Sequence, residues 1–535
     1  MPLSCLRLRL AAPLLLLSLS TGVLAQPAVD AKARDAALVN RVTWGATPAE
    51  LARIREMGAD RYLRAQLQPP ARDALPAEVQ QRIDALSISR VSDEAARAAQ
   101  LDMREKAEKL PPDQKLKGMR EARQFSLRRA AEVGDRALWR AVYSPNQLRD
   151  QMTWFWMNHF NVDQGKGDAG IFLSQYEDRA IRPHALGKFR DLLSATMRAP
   201  AMLIYLDNTR NAAGRINENY ARELMELHTL GVGGGYTQAD VQELARILTG
   251  MGIGQTAEPP KVRREWRDKV VQEGLFLFNP ARHDFGDKKF LGHRIAGSGI
   301  QEADEAAALL SRSPATARHL SGKLAVYFTG DAPPASLVDK MSQTFLATDG
   351  DIAATLKTLF DSPEFAASLR KGVFKDPVHY VYSSLRLAYD GMPPIVNPRP
   401  GAAMLKQLGQ PLNQRLTPDG YPMSQSDWAG SGQMSARFEV ASVIAGAPQR
   451  FYKEDGDGGP VELPPLPDLL KANEGNGLYA DLSPATRAAV PSQIATERQH
   501  LPAGLARIHA PLRAAPVSPP TGPGRTSWIA AACYN

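Results

Sequence analysis

Two glutamates, an asparagine and an arginine recur at helical spacing in NENYARELMELHTLGVGGGYTQADVQELARILTG, residues 217–250. At about 100° per residue, Asn219, Glu223 and Glu226 fall on one stripe with Arg222 at its edge, while Tyr220, Leu224 and Leu227 form the opposite, apolar stripe. His228 flanks the apolar side. Two carboxylates this close in a shielded cleft push one pKa up, so the pair holds an acid and a base together. Such a pair suits general acid–base chemistry, including glycosidic cleavage where the carboxyl groups reach the required separation. Neighbours on one helix face stand too close for an inverting arrangement, so a remote carboxylate such as Asp284 would have to join. The same region admits a second chemistry. Glu223, Glu226, His159, His228 and the His283-Asp284 pair make an oxygen and nitrogen set suited to a divalent metal such as zinc, manganese or iron. Glu226 and His228 are about 200° apart on an ideal helix, so both reach one ion only where the helix ends at His228. No HExxH motif accompanies them. The third account is architectural: Arg222 and the glutamates form a buried ion-pair network, in which removing one partner costs roughly 3–5 kcal/mol.

The elements that must position these groups are punctuated in the sequence. Gly231 and the run 233–235 end the first helix, because glycine enters the left-handed region without steric cost. Thr237 caps the next helix with Asp240 three residues on, and Gly250 closes it. A helix over 147–161 carries Trp154, Phe155, Trp156, Met157, His159 and Phe160; apolar groups all round imply burial. His159 is there either a core histidine bonded to a backbone carbonyl or a ligand and proton carrier. Residues 274–279 (GLFLFN) form the best short strand, and 281–295, with His283, Asp284 and Asp287 among turn formers, a small hairpin. Residues 171–181 and 183–198 read as amphipathic helices, and 76–130 as long, exposed helices broken at Pro111-Pro112. Capped helices of bundle length repeat over 301–361, and 378–389 is a buried one. The fold expected is therefore mainly α, a multi-helix bundle with a small β-hairpin element and long irregular C-terminal loops. Its expected divisions are a leader at 1–25, an N-terminal helical region at 26–135, and a helical core carrying the site at 136–390. A loop-rich part at 391–510 and a disordered or aberrant tail at 511–535 follow.

The address is read from the first residues. Arg7 and Arg9, the apolar run 10–19 and Val23-Leu24-Ala25 before Gln26 make a cleavable export signal, cut after Ala25, and the run is too short to span a bilayer. The expected location is periplasmic or secreted. Cys5 lies in the leader and Cys533 is the other cysteine, so the mature chain has no internal disulfide and no cysteine-based zinc or iron–sulfur site. Removing Arg7 and Arg9 takes the net charge from +8 to +6, spread over a long chain, and nucleic acid is not an expected partner outside the cytoplasm. There is no G-x-S-x-G elbow and no dinucleotide fingerprint.

Several blocks in one order carry a family resemblance. They include RVTWGATPAEL (41–51), QLRDQMTWFWMNHFNV (147–162), AIRPHALGKFRDLL (180–193) and PAMLIYLDN (200–208). The series continues with the 217–250 stretch, FNPARHDFGDKKFLG (278–292), SPATARHLSGKLAVYF (313–328) and LGQPLNQRLTPDGYP (408–422). Over roughly residues 37–450 the chain resembles the bacterial family catalogued as domain of unknown function 1800. The resemblance implies an exported protein found beside sulfatase-like partners, and it brings no activity with it. The proline-rich end beyond about residue 510 departs from the helical ending the resemblance implies. Two functions stay open: an envelope enzyme, hydrolase-like and either carboxylate acid–base or metal-assisted, and a non-catalytic secretion or assembly scaffold for a sulfatase-like partner.

Overall fold

Helices begin where the sequence supplies caps. Thr47 accepts from the Glu50 N–H with Pro48 at the first helical position, and Ser313, Ser362 and Asp376 cap their helices in the same way, each followed by proline. Thr237 and Asp240 form the reciprocal capping box. The computed structural model describes residues 31–453 apart from 257 and 447–448, so the expected leader and the tail at 511–535 lie outside the described residues. Among the described residues no helix is long and apolar enough to cross a membrane.

The architecture is mainly α with a few short antiparallel strands, as expected. The Gln147–His159 helix runs through the interior, with Leu148, Met152, Phe155, Trp156 and Met157 all buried. Around it one continuous apolar core extends from Ala36 to Phe365. A second cluster joins Leu138 and Val142 to Val378, Tyr382, Leu385, Val440 and Ile444, with Trp44 inserted from the N-terminal segment. One helix, Pro112–Tyr143, passes through the boundary expected at residue 135. Beyond residue 391 the helices Arg399–Gln407 and Ser431–Gly446 flank an irregular loop.

The β element is larger than a single hairpin. β1 (Met251–Ile253), β2 (Val271–Glu273) and β3 (Phe276–Phe278) make a sheet in the order β1-β3-β2, with the expected GLFLFN strand at its centre. β4 (Lys288–Phe290) and β5 (His293–Ile295) pair as a hairpin whose two-residue turn has positive φ at both Leu291 (48°) and Gly292 (81°), the twist-matching geometry. The hairpin thus occupies only the second half of 281–295. Residues 171–181 also differ from the expected helix. They form the short turns Ala169–Phe172 and Leu173–Gln175 and then a π-helical stretch, Tyr176–Ile181. Pro183 has no N–H to continue an α-helix, and the turn before it widens so that the Arg182 N–H donates to the Glu177 carbonyl.

The small strands are tied to the helices by a buried carboxylate. Glu302 stands 2.9 Å from His283 Nε2 and 2.5 Å from Lys288 Nζ, and all three side chains are wholly buried. The Gly299 N–H donates to the same carboxylate at 2.9 Å. Truncating one member strands the others without partners. Glu302→Ala is therefore expected to cost roughly 3–5 kcal/mol of unfolding free energy in urea denaturation. A loss below about 1 kcal/mol, as at a surface pair, would contradict this placement.

Candidate functional site

The tetrapeptide Asn158-His159-Phe160-Asn161, where the Gln147–His159 helix ends, fixes two things at once. Its asparagines hold the irregular C-terminal loop. Asn158 accepts from the Tyr421 N–H at 2.7 Å and donates to the Tyr421 carbonyl at 2.9 Å. Asn161 Nδ2 donates to the Arg415 and Thr417 carbonyls, each at 2.9 Å, and the Tyr205 hydroxyl reaches the Leu416 carbonyl at 3.0 Å. Gly420 (φ +76°) passes so near that a Cβ would lie 2.1 Å from the Asn158 carbonyl oxygen. The loop so pinned presents Asp419.

His159, between the asparagines, is fixed at both ring nitrogens. Lys323 Nζ stands 2.9 Å from Nδ1, and Nε2 lies 3.0 Å from the His228 carbonyl. An ammonium only donates and a carbonyl only accepts, so Nδ1 is the acceptor and Nε2 carries the proton. Lys323 comes from the Pro314–Thr329 helix, one turn after His319, whose Nε2 approaches the Leu227 carbonyl at 3.3 Å. His228 is fully buried with neither ring nitrogen partnered. Burial together with the Lys323 charge keeps all three imidazoles neutral: His159 falls well below its usual range, His228 to about 3 and His319 to about 4. Burial also pulls the Lys323 amine down to about 8, while Asp419 acts in the opposite direction.

The helix bearing the acidic stripe is Asn219–Glu226, shorter than its pattern. Both Leu227 and His228 donate to the Glu223 carbonyl, and Leu230 to that of Met225, a wide final turn that swings His228 inward while Glu223 and Glu226 stay partly exposed. Gly231 (φ +83°) then passes where a Cβ would stand 2.8 Å from His319 Nδ1. Burial first, then Glu226 and Asp419, raise the Glu223 carboxyl, with Arg222 opposing. Asp419 thus acts on both Glu223 and Lys323. Glu226 lies against Tyr236, whose phenol is raised by burial and then by that carboxylate.

The other residues singled out from sequence have different surroundings. Arg222 pairs with Glu218 at 2.9 Å and with Gln238 at 2.9 Å, not in a buried network with Glu223 and Glu226. Asn219 is exposed, its side chain donating to the Leu206 carbonyl at 3.2 Å. Asp284 is bound to Arg246 at 2.7 Å, which holds its carboxyl down at about 2. His283 is committed to Glu302 and to Thr249. The structure therefore brings His159 beside His228, their ring centroids 5.9 Å apart, and Glu223 beside Glu226, and leaves Asp284 and His283 in a separate network. Among the described residues no three His, Cys, Asp or Glu side chains are arranged to hold a metal ion. Lys323, His319 and Asp419 escaped the sequence reading. For the first two the one signal is that H-x-x-x-K, at i and i+4, puts His319 and Lys323 on one helix face.

The neutral histidines give stability a definite pH dependence. Below about 6.5 an unfolded chain binds a proton that buried His228 refuses down to about 3, so stability is complete above that window and falls as pH drops through it. One such group contributes up to about 1.4 kcal/mol per pH unit. His228→Leu is expected to flatten the denaturation profile between about pH 6 and 4 by one proton's slope. Identical slopes in the two proteins would contradict the assignment.

With the geometry in place, comparison with known proteins gives one match. No curated protein and no solved structure matches the chain. Residues 37–512 match the model of a protein family of unknown function, DUF1800, and the chain belongs to that family.

Proposed function

We propose that the chain is an exported enzyme of hydrolase-like, acid–base type, with its site where the Asn219–Glu226 helix meets His159 and Lys323. The observation that carries this reading is the 2.9 Å contact between Lys323 Nζ and His159 Nδ1. A lysine amine is a catalytic base or nucleophile only when neutral and held in place. Here burial brings it to about 8, and an imidazole fixed from its far side aims it. With that pKa, roughly a tenth of the amine is neutral at pH 7. Glu223, whose carboxyl is raised by burial and by Glu226, is the candidate for the acid. Base and acid with pKa values displaced towards each other are what hydrolysis of a polar bond near neutral pH requires. Asp284 takes no part in this version, since Arg246 holds it ionised. The metal-assisted version draws no support from the donor positions, because both ring nitrogens of His159 are already engaged.

A panel of chromogenic esters, amides and glycosides tests the reading. Glu223→Gln and Lys323→Met are each expected to lower the rate on an accepted substrate by about 10²-fold or more while the far-ultraviolet circular dichroism stays unchanged. Absence of turnover across the panel, or folded variants as active as the parent, would overturn it.

A second reading has one observation in its favour. Val232 (81% exposed) and Leu416 (77%) are large apolar side chains left in water on the two loops that border the site. Such groups suit a partner's surface, and the sulfatase-like partner belongs to this reading. Val232→Ser with Leu416→Ser would then abolish cross-linking to such a partner and leave any hydrolytic rate intact; unchanged cross-linking would remove it.

A further inference from the structure

The run Lys261-Val-Arg-Arg-Glu-Trp-Arg-Asp-Lys269 carries five bases against two acids, all of them exposed. Its second part is a short 3₁₀ turn, Arg264–Lys269, and aromatic contacts fasten that turn to the molecule. The Trp266 ring lies 5.2 Å from the Phe285 ring and nearly parallel to it, at 14°. Phe285 in turn stands edge-on to His283, 4.8 Å between centroids, and His283 is the buried histidine that Glu302 fixes. Lys269 Nζ is 4.6 Å from the Phe285 ring centre and 5.6 Å from that of Trp266, a cation held over the aromatic pair. The basic run is thus displayed from a fixed base.

Two further segments bring positive charge to the same region. The Arg264–Lys269 turn packs against the Pro280–Arg282 turn. Arg282 donates to the Thr209 carbonyl at 3.0 Å, and its own carbonyl accepts from the Ala213 N–H at 2.8 Å. The loop so held carries Arg210 and Arg215, both exposed. The three segments together set eight bases against Glu265 and Asp268, with Asp207 at the border. Little of that charge is neutralised within the chain. Glu265 is 3.8 Å from Arg263 in a solvated pair, which is a weak one. Asp207 is 4.0 Å from Arg210 but 2.9 Å from Lys166. Lys261, Arg264, Arg267 and Arg215 make no ion pair among the described residues. Crowded like charges of this kind repel one another and are relieved by an opposing anionic surface. Apolar groups stand among them: Ile216, next to Arg215, is 39% exposed, and Trp266 is half-buried. The interface of an anionic bilayer takes both, phosphates facing the bases and the headgroup layer receiving the indole. A soluble polyanion answers the charge alone.

We propose that this face docks the protein on a bilayer surface of anionic lipid headgroups. The contact is peripheral, and it shares no residue with the acid–base site. Cosedimentation of the purified full chain with lipid vesicles tests it. Vesicles of phosphatidylcholine with about 30% phosphatidylglycerol should bind about tenfold or more tightly than phosphatidylcholine alone, and raised salt should weaken that binding. Arg264→Gln combined with Arg267→Gln should weaken it about tenfold or more and leave the thermal midpoint unchanged, since neither side chain is paired. Arg123→Gln combined with Arg128→Gln removes the same charge from exposed positions of the Pro112–Tyr143 helix and should change binding by less than about twofold. Equal binding to neutral and anionic vesicles, or binding to neither, overturns the proposal. Undiminished binding by the 264/267 variant does so as well, as does an equal loss in the 123/128 variant. Polygalacturonate binding more tightly than the anionic vesicles would assign the face to a soluble polyanion and overturn the lipid assignment.

Discussion

The carbonyl of His228 decides how the candidate site is wired. By accepting from His159 Nε2 it leaves Nδ1 as the acceptor, and the Lys323 amine is held against that nitrogen. The carbonyl is in position because the Asn219–Glu226 helix ends in a wide turn, with two successive N–H groups on the Glu223 carbonyl. A helix continued through His228 would turn that carbonyl along its own axis, into the ladder of intrahelical bonds. The glycines after the turn, Gly231 above all, let the chain leave past His319. The acidic stripe and the histidine cluster are thus two faces of one helix terminus.

The same economy appears in the Gln147–His159 helix. Its apolar sides pack the core, and its end holds His159 and the loop bearing Asp419. Several buried charges are closely paired. Glu302 joins His283 to Lys288, and Asp73 joins Arg149 to Arg182. Ion pairs of this kind fix where the strands and the early loops sit, and breaking one is costlier than forming it is favourable. Lys323 stands apart from them. His159 partners it without neutralising it, and burial lowers its pKa for that reason.

Much of this was legible in the sequence because the signals are local. Caps, proline starts, the glycine run, the buried aromatic helix and the outward placement of Glu223 and Glu226 all follow from periodicity and from side-chain chemistry within a few residues. What was hidden depends on contacts between distant segments. Lys323 on an amphipathic helix looks like any solvated lysine until a helix 164 residues earlier in the chain packs over it. His283 and Asp284 sit among turn formers, which suggested a site loop, but their partners Glu302 and Arg246 lie 19 and 38 residues away and make them structural. The π-helical stretch was hidden because the pattern of 171–181 is compatible with an ordinary helix, and the proline at 183 acts on the turn before it.

The central claim is that the Lys323 amine is buried against a neutral imidazole and so ionises far below an ordinary lysine. Reductive methylation with ¹³C-formaldehyde, followed by a pH titration of the dimethyllysine carbon signals, measures this directly. One signal, absent from Lys323→Met, should titrate near 8. If every lysine signal titrates above about 10, the amine stands in water and the wiring through His159 is wrong.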